Sequence, residues 1–475
     1  MVMNVKINKL LKMVGLDCVN YNHDVSLITN DSKKCIKDSI FVAIKGEKND
    51  GNTFILEAIK NGARTIISNK ITTLGVNNIL VDNPKKALGD LLFYFNKNKY
   101  KAIKKIGIIG TNGKTSTSFI LNGFLNKISK SMLIGSSGCY YLNKHLMHPN
   151  TTPDITLIYD YFDIALKNKI KYIVMEISSV AIIENRVHNI SFDYLIYTNF
   201  SLDHLDYHKT IDEYFRAKCI PFYSLNKKAY AIINIDDERS YALINNLSCR
   251  VLEFSILKNS KYQISNIYNI GNMTEFKLGD YVYRTNLLGK FNLYNLLPTI
   301  IIADIINANN SILFDYLYNV DTIPGRVNLY EYKNRKIIID YAHTPIAVKK
   351  MIELGNELTD GNVIVVLGCG GNRDKEKRKI IGKILNDSRC IPIITTDNPR
   401  DEDPKKIIAD ILEDSFNLLS IEDRKKAIFH AFEISNENDL ILILGKGDEK
   451  YTIIKGNKII GSDYDIVKEY IDNDN

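Results

Sequence analysis

The chain has 475 residues, of which 45% are hydrophobic and 25% are charged. This length predicts about three domains, and the composition excludes disordered, collagen-like and fibrous proteins. The net charge of +7, from 62 Lys and Arg against 55 Asp and Glu, fits a small phosphorylated ligand as well as it fits a nucleic acid.

Cysteine content and hydropathy indicate the compartment. Seven cysteines are too few and too unevenly spaced for a disulfide scaffold, so we expect reduced thiols in a cytoplasmic protein. The N-terminal segment lacks the apolar run of a secretory signal, and no later stretch is apolar for the roughly 18 residues of a membrane span. We therefore expect no membrane partner.

Apolar, β-rich segments alternate with helical patterns along most of the chain, which predicts an α/β fold with parallel sheets. The clearest strand candidates are residues 104–110, 171–178, 192–200, 229–236, 336–343, 362–371 and 439–447. Several of them end in Gly, Ser, Thr, Asp or His, and ligands of such sheets collect at the carboxyl ends of the strands. Polar or Pro-Gly joints at 95–105 and 321–327 divide the chain into domains at 1–99, 100–322 and 323–475.

The first strong motif is a glycine-rich turn. Residues 108–115 read Ile-Ile-Gly-Thr-Asn-Gly-Lys-Thr and join a predicted strand to a helical stretch. Such a turn aims backbone N–H groups at phosphate oxygens, while Lys114 suits the β- and γ-phosphates and Thr115 suits Mg²⁺. The full Walker pattern needs glycine at Ile108. A chance glycine turn is the alternative, and the order of strand, GKT and helix argues against it.

Carboxylates, imidazoles and a lysine follow this loop. Glu176 ends a strand candidate, where it can reach a phosphate-bound metal, although a lone carboxylate there is more often a surface residue. The next strand is followed by Asp203, His204, Asp206 and His208, and then by Lys218 in a helical pattern. A solvated polar loop is the alternative interpretation. Histidines near carboxylates also suit a divalent cation beside nucleotide phosphates, although Mg²⁺ prefers oxygen ligands.

A series of collinear segments extends this pattern over nearly the whole chain. In order they include FVAIKG, DGNTFI, GTNGKT, NTTPD, MEISS, TNFSLDHLDYH, YFRAK, LLGKFNLYN, PGRV, DYAHTP, GCGGNRD, TTDNPRDEDP and GKGDE. Together they resemble the ATP-dependent Mur ligases of peptidoglycan assembly, in particular the branch that adds meso-diaminopimelate as the third amino acid.

The resemblance implies three domains: an N-terminal domain for a uridine nucleotide, a central P-loop ATPase domain and a C-terminal Rossmann-like domain for an amino acid. The implied reaction adds meso-2,6-diaminopimelate to UDP-MurNAc-L-Ala-D-Glu through an acyl phosphate, with ATP and Mg²⁺. The expected partners are these small molecules, with no nucleic acid, and the expected state is a monomer. Two alternatives stay open: a Mur-type paralogue with another acceptor or a specialised peptide pathway, and a nucleotide-binding scaffold without catalysis.

The resemblance also implies roles for individual residues. Those implied in catalysis are Lys114, Glu176, His204 and Lys218. Those implied to bind ATP are Gly110, Thr111, Asn112, Gly113, Lys114, Thr115, Ser116, Asn292, Asn295, Asp340 and His343. Thr115 and Glu176 would hold one Mg²⁺, with His204 and a carbamylated Lys218 at or near a second. Those implied to bind the UDP-MurNAc-dipeptide are Ser32, Asn150, Thr151, Thr152, Ser178, Glu184 and Arg186.

The segment Asp397-Asn398-Pro399-Arg400 resembles the part of the family that selects the acceptor. Diaminopimelate carries a second carboxylate, which the guanidinium of Arg400 can bind bidentately. Arg373, Gly445 and Glu449 match further acceptor positions. The chain departs from the family pattern at Val180 and Asp448, where the family usually has His, and at Lys33 and Asn328, where it usually has Arg and Glu. These departures leave room for another acceptor.

Overall fold

A computed structural model describes residues 5–46, 49–71, 75–204, 206–271, 273–415 and 418–474. Strands and helices alternate through these ranges, which confirms the α/β prediction. All seven cysteines are free thiols. Within the described ranges, no helix combines the length and apolar character needed to cross a bilayer.

The N-terminal part is built on a parallel sheet in the order β3-β4-β5-β6, beside the antiparallel pair β1–β2. Its strands are β1 (Val5–Lys6), β2 (Asp24–Val25), β3 (Ile28–Thr29), β4 (Ser39–Val42), β5 (Ala63–Ser68) and β6 (Asn77–Leu80). Its helices are α1 (Ile7–Met13), α2 (Ile55–Lys60) and α3 (Pro84–Phe95), with short 3₁₀ turns at Ser32–Lys34 and Gly51–Phe54.

The central part contains a sheet in the order β10-β9-β8-β11-β7-β12-β13-β14-β15-β16-β17. Its strands are β7 (Lys104–Ile109), β8 (Ser131–Gly135), β9 (Gly138–Tyr141), β10 (Lys144–Leu146), β11 (Tyr172–Ile177), β12 (Tyr194–Tyr197), β13 (Tyr230–Asn234), β14 (Arg250–Ser255), β15 (Tyr262–Ile270), β16 (Met273–Leu278) and β17 (Tyr281–Thr285). Its helices are α4 (Lys114–Ile128), α5 (Ile155–Lys167), α6 (Ser179–Ile183), α7 (Ile211–Tyr223), α8 (Ser240–Ile244), α9 (Lys290–Ile305) and α10 (Asn310–Tyr318). The neighbouring strands β8, β11, β7, β12, β13 and β14 are parallel to one another. Beyond them, β15, β16 and β17 pair with one another in antiparallel fashion and extend the sheet.

The C-terminal part is a second sheet, in the order β18-β19-β23-β20-β21-β22, parallel except for β18. Its strands are β18 (Asn328–Tyr332), β19 (Arg335–Asp340), β20 (Val363–Leu367), β21 (Ile391–Ile394), β22 (Leu419–Ser420) and β23 (Leu440–Leu444), followed by the hairpin β24 (Tyr451–Ile454) and β25 (Asn457–Ile460). Its helices are α11 (Pro345–Leu358), α12 (Glu376–Asp387), α13 (Pro404–Leu412), α14 (Arg424–Ile434) and α15 (Asp463–Asn473).

Both parallel sheets are covered on both faces, because successive side chains of a strand point in opposite directions. In β7, Ile106 and Ile108 pack into one core, while Ile109 packs into the core on the opposite face. In β23, Leu442 and Ile443 are divided in the same way. Burial on both faces explains why these strands are almost continuously apolar in the sequence.

Strand register places the site. Ile109 at the end of β7 pairs with Ile177 at the end of β11 and with Tyr197 at the end of β12. The loops that follow these three residues therefore meet at one edge of the central sheet. This edge is where ligands of open α/β sheets bind.

Candidate active site

The glycine-rich turn connects β7 to the N-terminus of α4. Gly113 has φ +82°, and a Cβ there would lie 2.3 Å from Asn295 Oδ1. A Cβ on Gly110 would lie 1.8 Å from Thr198 Oγ1. Only glycine fits these two positions. The turn therefore presents its amides at the start of a 15-residue helix, an arrangement that attracts anions such as phosphate.

Two buried lysines converge on this turn. Lys114 Nζ donates to Gly110 O and Thr111 O, each at 2.9 Å, and Lys218 Nζ donates to the same Gly110 O at 2.8 Å. Burial lowers the pKa of both amines, and the charge of Lys114 lowers the pKa of Lys218 further. The ring of Tyr214 lies 4.4 Å from Lys218 Nζ. Two amines at one carbonyl form a site whose charge an anionic ligand would balance.

Glu176 is fully buried and faces the turn. Its carboxylate accepts hydrogen bonds from Thr115 Oγ1 at 2.9 Å and from the amide and hydroxyl of Ser136 at 3.1 and 3.2 Å. The resemblance implied that Thr115 and Glu176 share one Mg²⁺, and the structure places the two side chains in contact, but the sequence did not indicate Ser136. The available signal was its position directly after the apolar run 131–135, at the carboxyl end of β8.

His204 and Asp203 lie on the opposite side of the turn, where the C-terminal part approaches. Asp203 oxygens lie 3.6 Å from His204 Nε2, 4.0 Å from His343 Nε2 and 3.9 Å from Lys377 Nζ. Burial opposes ionisation of Asp203, but these three groups together hold its pKa below the usual range. Burial lowers the pKa of His204 to about 4, and Lys218 adds to this effect while Asp203 opposes it. A neutral imidazole with a free lone pair is the form that binds metals.

Not all of the predicted polar cluster joins this site. His208 Nε2 lies 2.9 Å from Ser179 Oγ, and Asp206 lies 3.5 Å from Arg373 Nη1. Among the residues that the structure describes, no group of three or more His, Cys, Asp and Glu side chains could hold a metal ion unaided. At nucleotide sites, Mg²⁺ commonly takes one or two protein carboxylates and completes its shell with phosphate oxygens and water.

One large cleft, which we call the central cleft, passes this site. It has a volume of about 1920 Å³ and extends from Ser32 past Lys114 and Arg186 to His343 and Arg373, so all three parts of the chain line it. Val180 and Lys33, two of the departures from the family pattern, also line it.

The residues predicted to bind the UDP-MurNAc-dipeptide lie along one arm of the central cleft. Those that line it are Ser32, Asn150, Thr151, Ser178, Glu184 and Arg186. Thr152 lies behind them, where its hydroxyl donates to Glu176 O at 2.9 Å and its carbonyl accepts from Arg186 Nη1 at 3.2 Å. Glu184 is paired with Lys85 and accepts from Tyr207 Oη. Ser32 donates to Glu57 at 2.5 Å.

The residues predicted to frame adenosine line the other side of the central cleft. Asn295 Nδ2 donates to Asn292 Oδ1 at 2.9 Å, and Asn292 Nδ2 donates to Leu288 O. Asp340 accepts from the amides of Val327 and Ala342, and burial raises its pKa. His343 lies three residues after the end of β19, where its Nδ1 is 2.8 Å from Tyr341 O.

Most of the predicted acceptor residues lie around the segment 397–400. Asn398 Nδ2 donates to Glu449 Oε2 at 2.7 Å, and burial, with Asp397 adding to it, raises the pKa of Glu449. Gly445, at φ +109°, packs against Asp397, because a Cβ there would lie 2.8 Å from Asp397 Oδ2. Pro399 and Arg400 continue this segment. Arg373 lines the central cleft and contacts Asp206, and a Cβ on Gly370 would lie 2.8 Å from Arg400 Nη1 and 3.8 Å from Arg373 Cγ.

Arg400 is held by its own surroundings. It has φ +52°, its backbone bonds to Ile453 and Lys455, and its Nη1 donates to Gly371 O at 2.8 Å. Nearby, the fully buried Arg378 forms a two-pronged pair with Glu402, which also accepts from the Asn372 amide. This network, which the sequence did not indicate, braces the loop that precedes Arg373 against the loop that contains Arg400.

Comparison with known proteins identifies the family. Residues 108–303 match the family model described as the Mur ligase middle domain, and residues 325–447 match the Mur ligase, glutamate ligase domain. The chain is 33% identical over 485 residues to UDP-N-acetylmuramoyl-L-alanyl-D-glutamate–2,6-diaminopimelate ligase 1 of Clostridium acetobutylicum, which covers 98% of this chain and 99% of the relative. It is 35% identical over 472 residues to the corresponding ligase of Fusobacterium nucleatum, with 98% and 96% covered.

Solved structures agree with this assignment. A structure of UDP-N-acetylmuramoyl-L-alanyl-D-glutamate–2,6-diaminopimelate ligase superposes with a TM-score of 0.70 at 27% identity, covering 99% of both chains. MurF from Acinetobacter baumannii has the same fold, with a TM-score of 0.70 at 15% identity and 99% of both chains covered. The predicted three-domain fold class is thereby confirmed, and the chain belongs to the Mur ligase family.

Proposed function

We propose that this protein is an ATP-dependent ligase that joins meso-2,6-diaminopimelate to UDP-MurNAc-L-Ala-D-Glu and forms the UDP-MurNAc-tripeptide of peptidoglycan. The observation that carries the proposal is the central cleft, in which a phosphate-binding turn lies between the arm containing Arg186 and the face containing Arg373. Curated relatives named for this reaction match the chain over nearly its whole length. We assign the uridine nucleotide to residues 1–99, ATP to 100–322 and the amino acid to 323–475.

The chemistry explains why such a cleft is needed. A free carboxylate is a poor acyl donor, so the γ-carboxylate of the D-glutamyl residue attacks the γ-phosphorus of ATP, which yields an acyl phosphate and ADP. The amine of the acceptor then attacks the acyl carbon, and phosphate leaves through a tetrahedral intermediate. Lys114 and the amides of residues 110–114 stabilise the charge on the transferred phosphoryl group. Enclosure by three domains excludes water that would hydrolyse the acyl phosphate.

The residues present fit a divalent cation. Thr115 Oγ1 and Glu176 lie 2.9 Å apart as neighbouring oxygen ligands, and His204 lies near Lys218 and Lys114. A carbamate on Lys218 would replace a poorly solvated cation by an anionic oxygen ligand next to the phosphate turn. Thr115 and Glu176 would hold one Mg²⁺, and His204 with the carbamate would hold another. Bound there, Mg²⁺ would neutralise charge between the two anionic reactants.

The substrates also indicate where the enzyme works. ATP, a UDP-linked sugar and a free amino acid are small metabolites of the cell interior, so we propose a cytoplasmic enzyme. We propose that it is a monomer whose partners are these small molecules, without nucleic-acid or membrane partners.

Two observations favour a second acceptor. Arg400, the residue expected to bind the distal carboxylate of diaminopimelate, already donates to Gly371 O, and Asp448 places a carboxylate next to Glu449. Both features would suit a different amino acid.

Phosphate release from ATP tests the proposal. The purified protein is incubated with UDP-MurNAc-L-Ala-D-Glu and a panel containing meso-diaminopimelate, L-lysine and other amino acids. We expect release that depends on meso-diaminopimelate and a tripeptide product of matching mass. Release only with another amino acid supports the paralogue, and no release under any combination supports a scaffold.

A further inference from the structure

Asp448, which replaces the usual histidine of the family pattern, lies at a contact between two domains. Its Oδ2 accepts a hydrogen bond from Ser137 Oγ at 3.3 Å, although the two residues are 311 positions apart in the chain. Asp448 directly precedes Glu449 of the acceptor cluster. Ser137 directly follows Ser136, whose amide and hydroxyl hold the carboxylate of Glu176. The bond therefore links the acceptor segment to the loop that positions a metal-binding carboxylate.

The segment containing Asp448 is closely packed on its other side. A Cβ on Gly325, in the joint between the central and C-terminal domains, would lie 2.3 Å from Asp448 N and 2.9 Å from Asp448 Oδ1. A Cβ on Gly447 would lie 2.9 Å from Gly325 O and from Tyr341 Cβ. The segment that contains Asp448 therefore has little freedom to move independently of the joint. Its position relative to the central domain follows the closure of the C-terminal domain.

Ser137 is also held firmly on the central domain. Its carbonyl lies 2.6 Å from His145 Nε2, and the His145 ring stacks on Tyr140 with 4.2 Å between centroids. The hydroxyl of Ser137 is therefore presented from a braced loop. The donor, Ser137, and the residue that accepts its hydrogen bond, Asp448, are therefore both fixed within their own domains. Their hydrogen bond can form only at one relative position of the two domains.

We propose that Asp448 is a positioning residue: its bond to Ser137 aligns the acceptor amine with the acyl phosphate when the C-terminal domain closes. It acts after the acyl phosphate has formed, because neither residue touches the phosphate turn. Without the bond, the acceptor is held less accurately, and water competes for the acyl carbon. Water attack returns the carboxylate and releases phosphate, so ATP is consumed without a peptide bond. This inference rests on the proposed ligase function.

The test separates the two half-reactions in the full-length enzyme with its three substrates. The variants are Asp448→Ala, Ser137→Ala, the double variant and Asp448→Asn, which retains an oxygen that accepts a hydrogen bond. Lys450→Ala, an exposed neighbour in the same segment, is the matched control. Rapid-quench measurement of the ADP burst without acceptor reports acyl-phosphate formation. The ratio of phosphate released to tripeptide formed reports how well the acceptor competes with water.

For Asp448→Ala we expect tripeptide formation to fall about tenfold, the scale of one hydrogen bond to a charged group. The ADP burst stays at the wild-type rate, and the ratio of phosphate to tripeptide rises above one. Ser137→Ala should show the same changes, and the double variant should form tripeptide at the same rate as either single variant. Asp448→Asn should bring the ratio of phosphate to tripeptide most of the way back to the wild-type value.

Equal loss of the burst and of tripeptide formation would indicate a general structural defect and overturn the inference. Additive losses in the double variant, or a wild-type ratio in Asp448→Ala, would overturn it as well. A wild-type enzyme that forms no tripeptide at all refutes the proposed function instead, so the two failures are distinguishable.

Discussion

Substitution of Gly113 by alanine tests the phosphate turn directly. Gly113 has φ +82°, and an added Cβ would lie 2.3 Å from Asn295 Oδ1. The left-handed conformation costs an L-residue about 1 to 2 kcal/mol. Turning the Asn295 amide away breaks its bond to Asn292, which costs about 1 kcal/mol more. The turn at residues 110–114 avoids both costs only if its backbone leaves the conformation that presents its amides to phosphate.

The binding of ATP therefore has to restore a strained turn in Gly113→Ala. A cost of about 2 to 3 kcal/mol corresponds to roughly 30- to 150-fold weaker ATP binding. Isothermal titration calorimetry with ATP and Mg²⁺ measures this change. Because Asn295 is itself assigned to ATP, Asn295→Ala alone serves as the reference: in that background the clash is gone and only the backbone strain is left, so Gly113→Ala should weaken ATP binding by a smaller factor than it does in the wild type.

Gly15→Ala provides the matched control. Gly15 has φ +72°, a Cβ there would meet nothing within 4 Å, and the residue lies outside the central cleft. This variant should lose some stability but bind ATP normally. If Gly113→Ala binds ATP within twofold of wild type, the turn does not hold the nucleotide and the reasoning fails.

Three further substitutions test the remaining groups. Glu176→Gln keeps one of the two oxygens that accept from Ser136 and removes the charge. We expect phosphate release to fall at least about 100-fold; activity within threefold of wild type would exclude a metal-ligand role. Lys218→Ala should abolish turnover and regain part of it with added acetate or formate, whereas an unimpaired variant would contradict the carbamate. Arg400→Ala should raise the KM for diaminopimelate far more than the KM for ATP, because it removes a charge-assisted pair that contributes about 2 to 4 kcal/mol to binding. Equal effects on both KM values would mean that Arg400 is misassigned.

Much of this architecture could be predicted because its signals are local. Strands buried on both faces are almost continuously apolar, so β7, β11, β20 and β23 are visible as short hydrophobic runs. The phosphate turn is visible because left-handed backbone and close packing admit only glycine at Gly113 and Gly110. Parallel strands also end at a common edge, which is why Glu176, at the end of β11, lies near the turn.

The tertiary structure decided which of several polar side chains meet. The sequence placed His204 and His208 in one cluster, but His208 faces Ser179, whereas His204 stays with Asp203. Arg373 was expected to contact the same amino acid as Glu449, and the structure adds a contact of its guanidinium with Asp206 that the sequence did not indicate. Such outcomes depend on how loops from distant strands fold over one another, and no local pattern encodes that.

By itself, the sequence determined the fold class, the phosphate turn and the family, because each depends on short patterns or on many motifs in a fixed order. Only the tertiary structure could reveal that Ser136 holds Glu176 and that Asp448 contacts Ser137 across two domains. These contacts join residues 40 and 311 positions apart. They arise from strand order and domain packing, which bring together side chains that nothing in the sequence marks as partners.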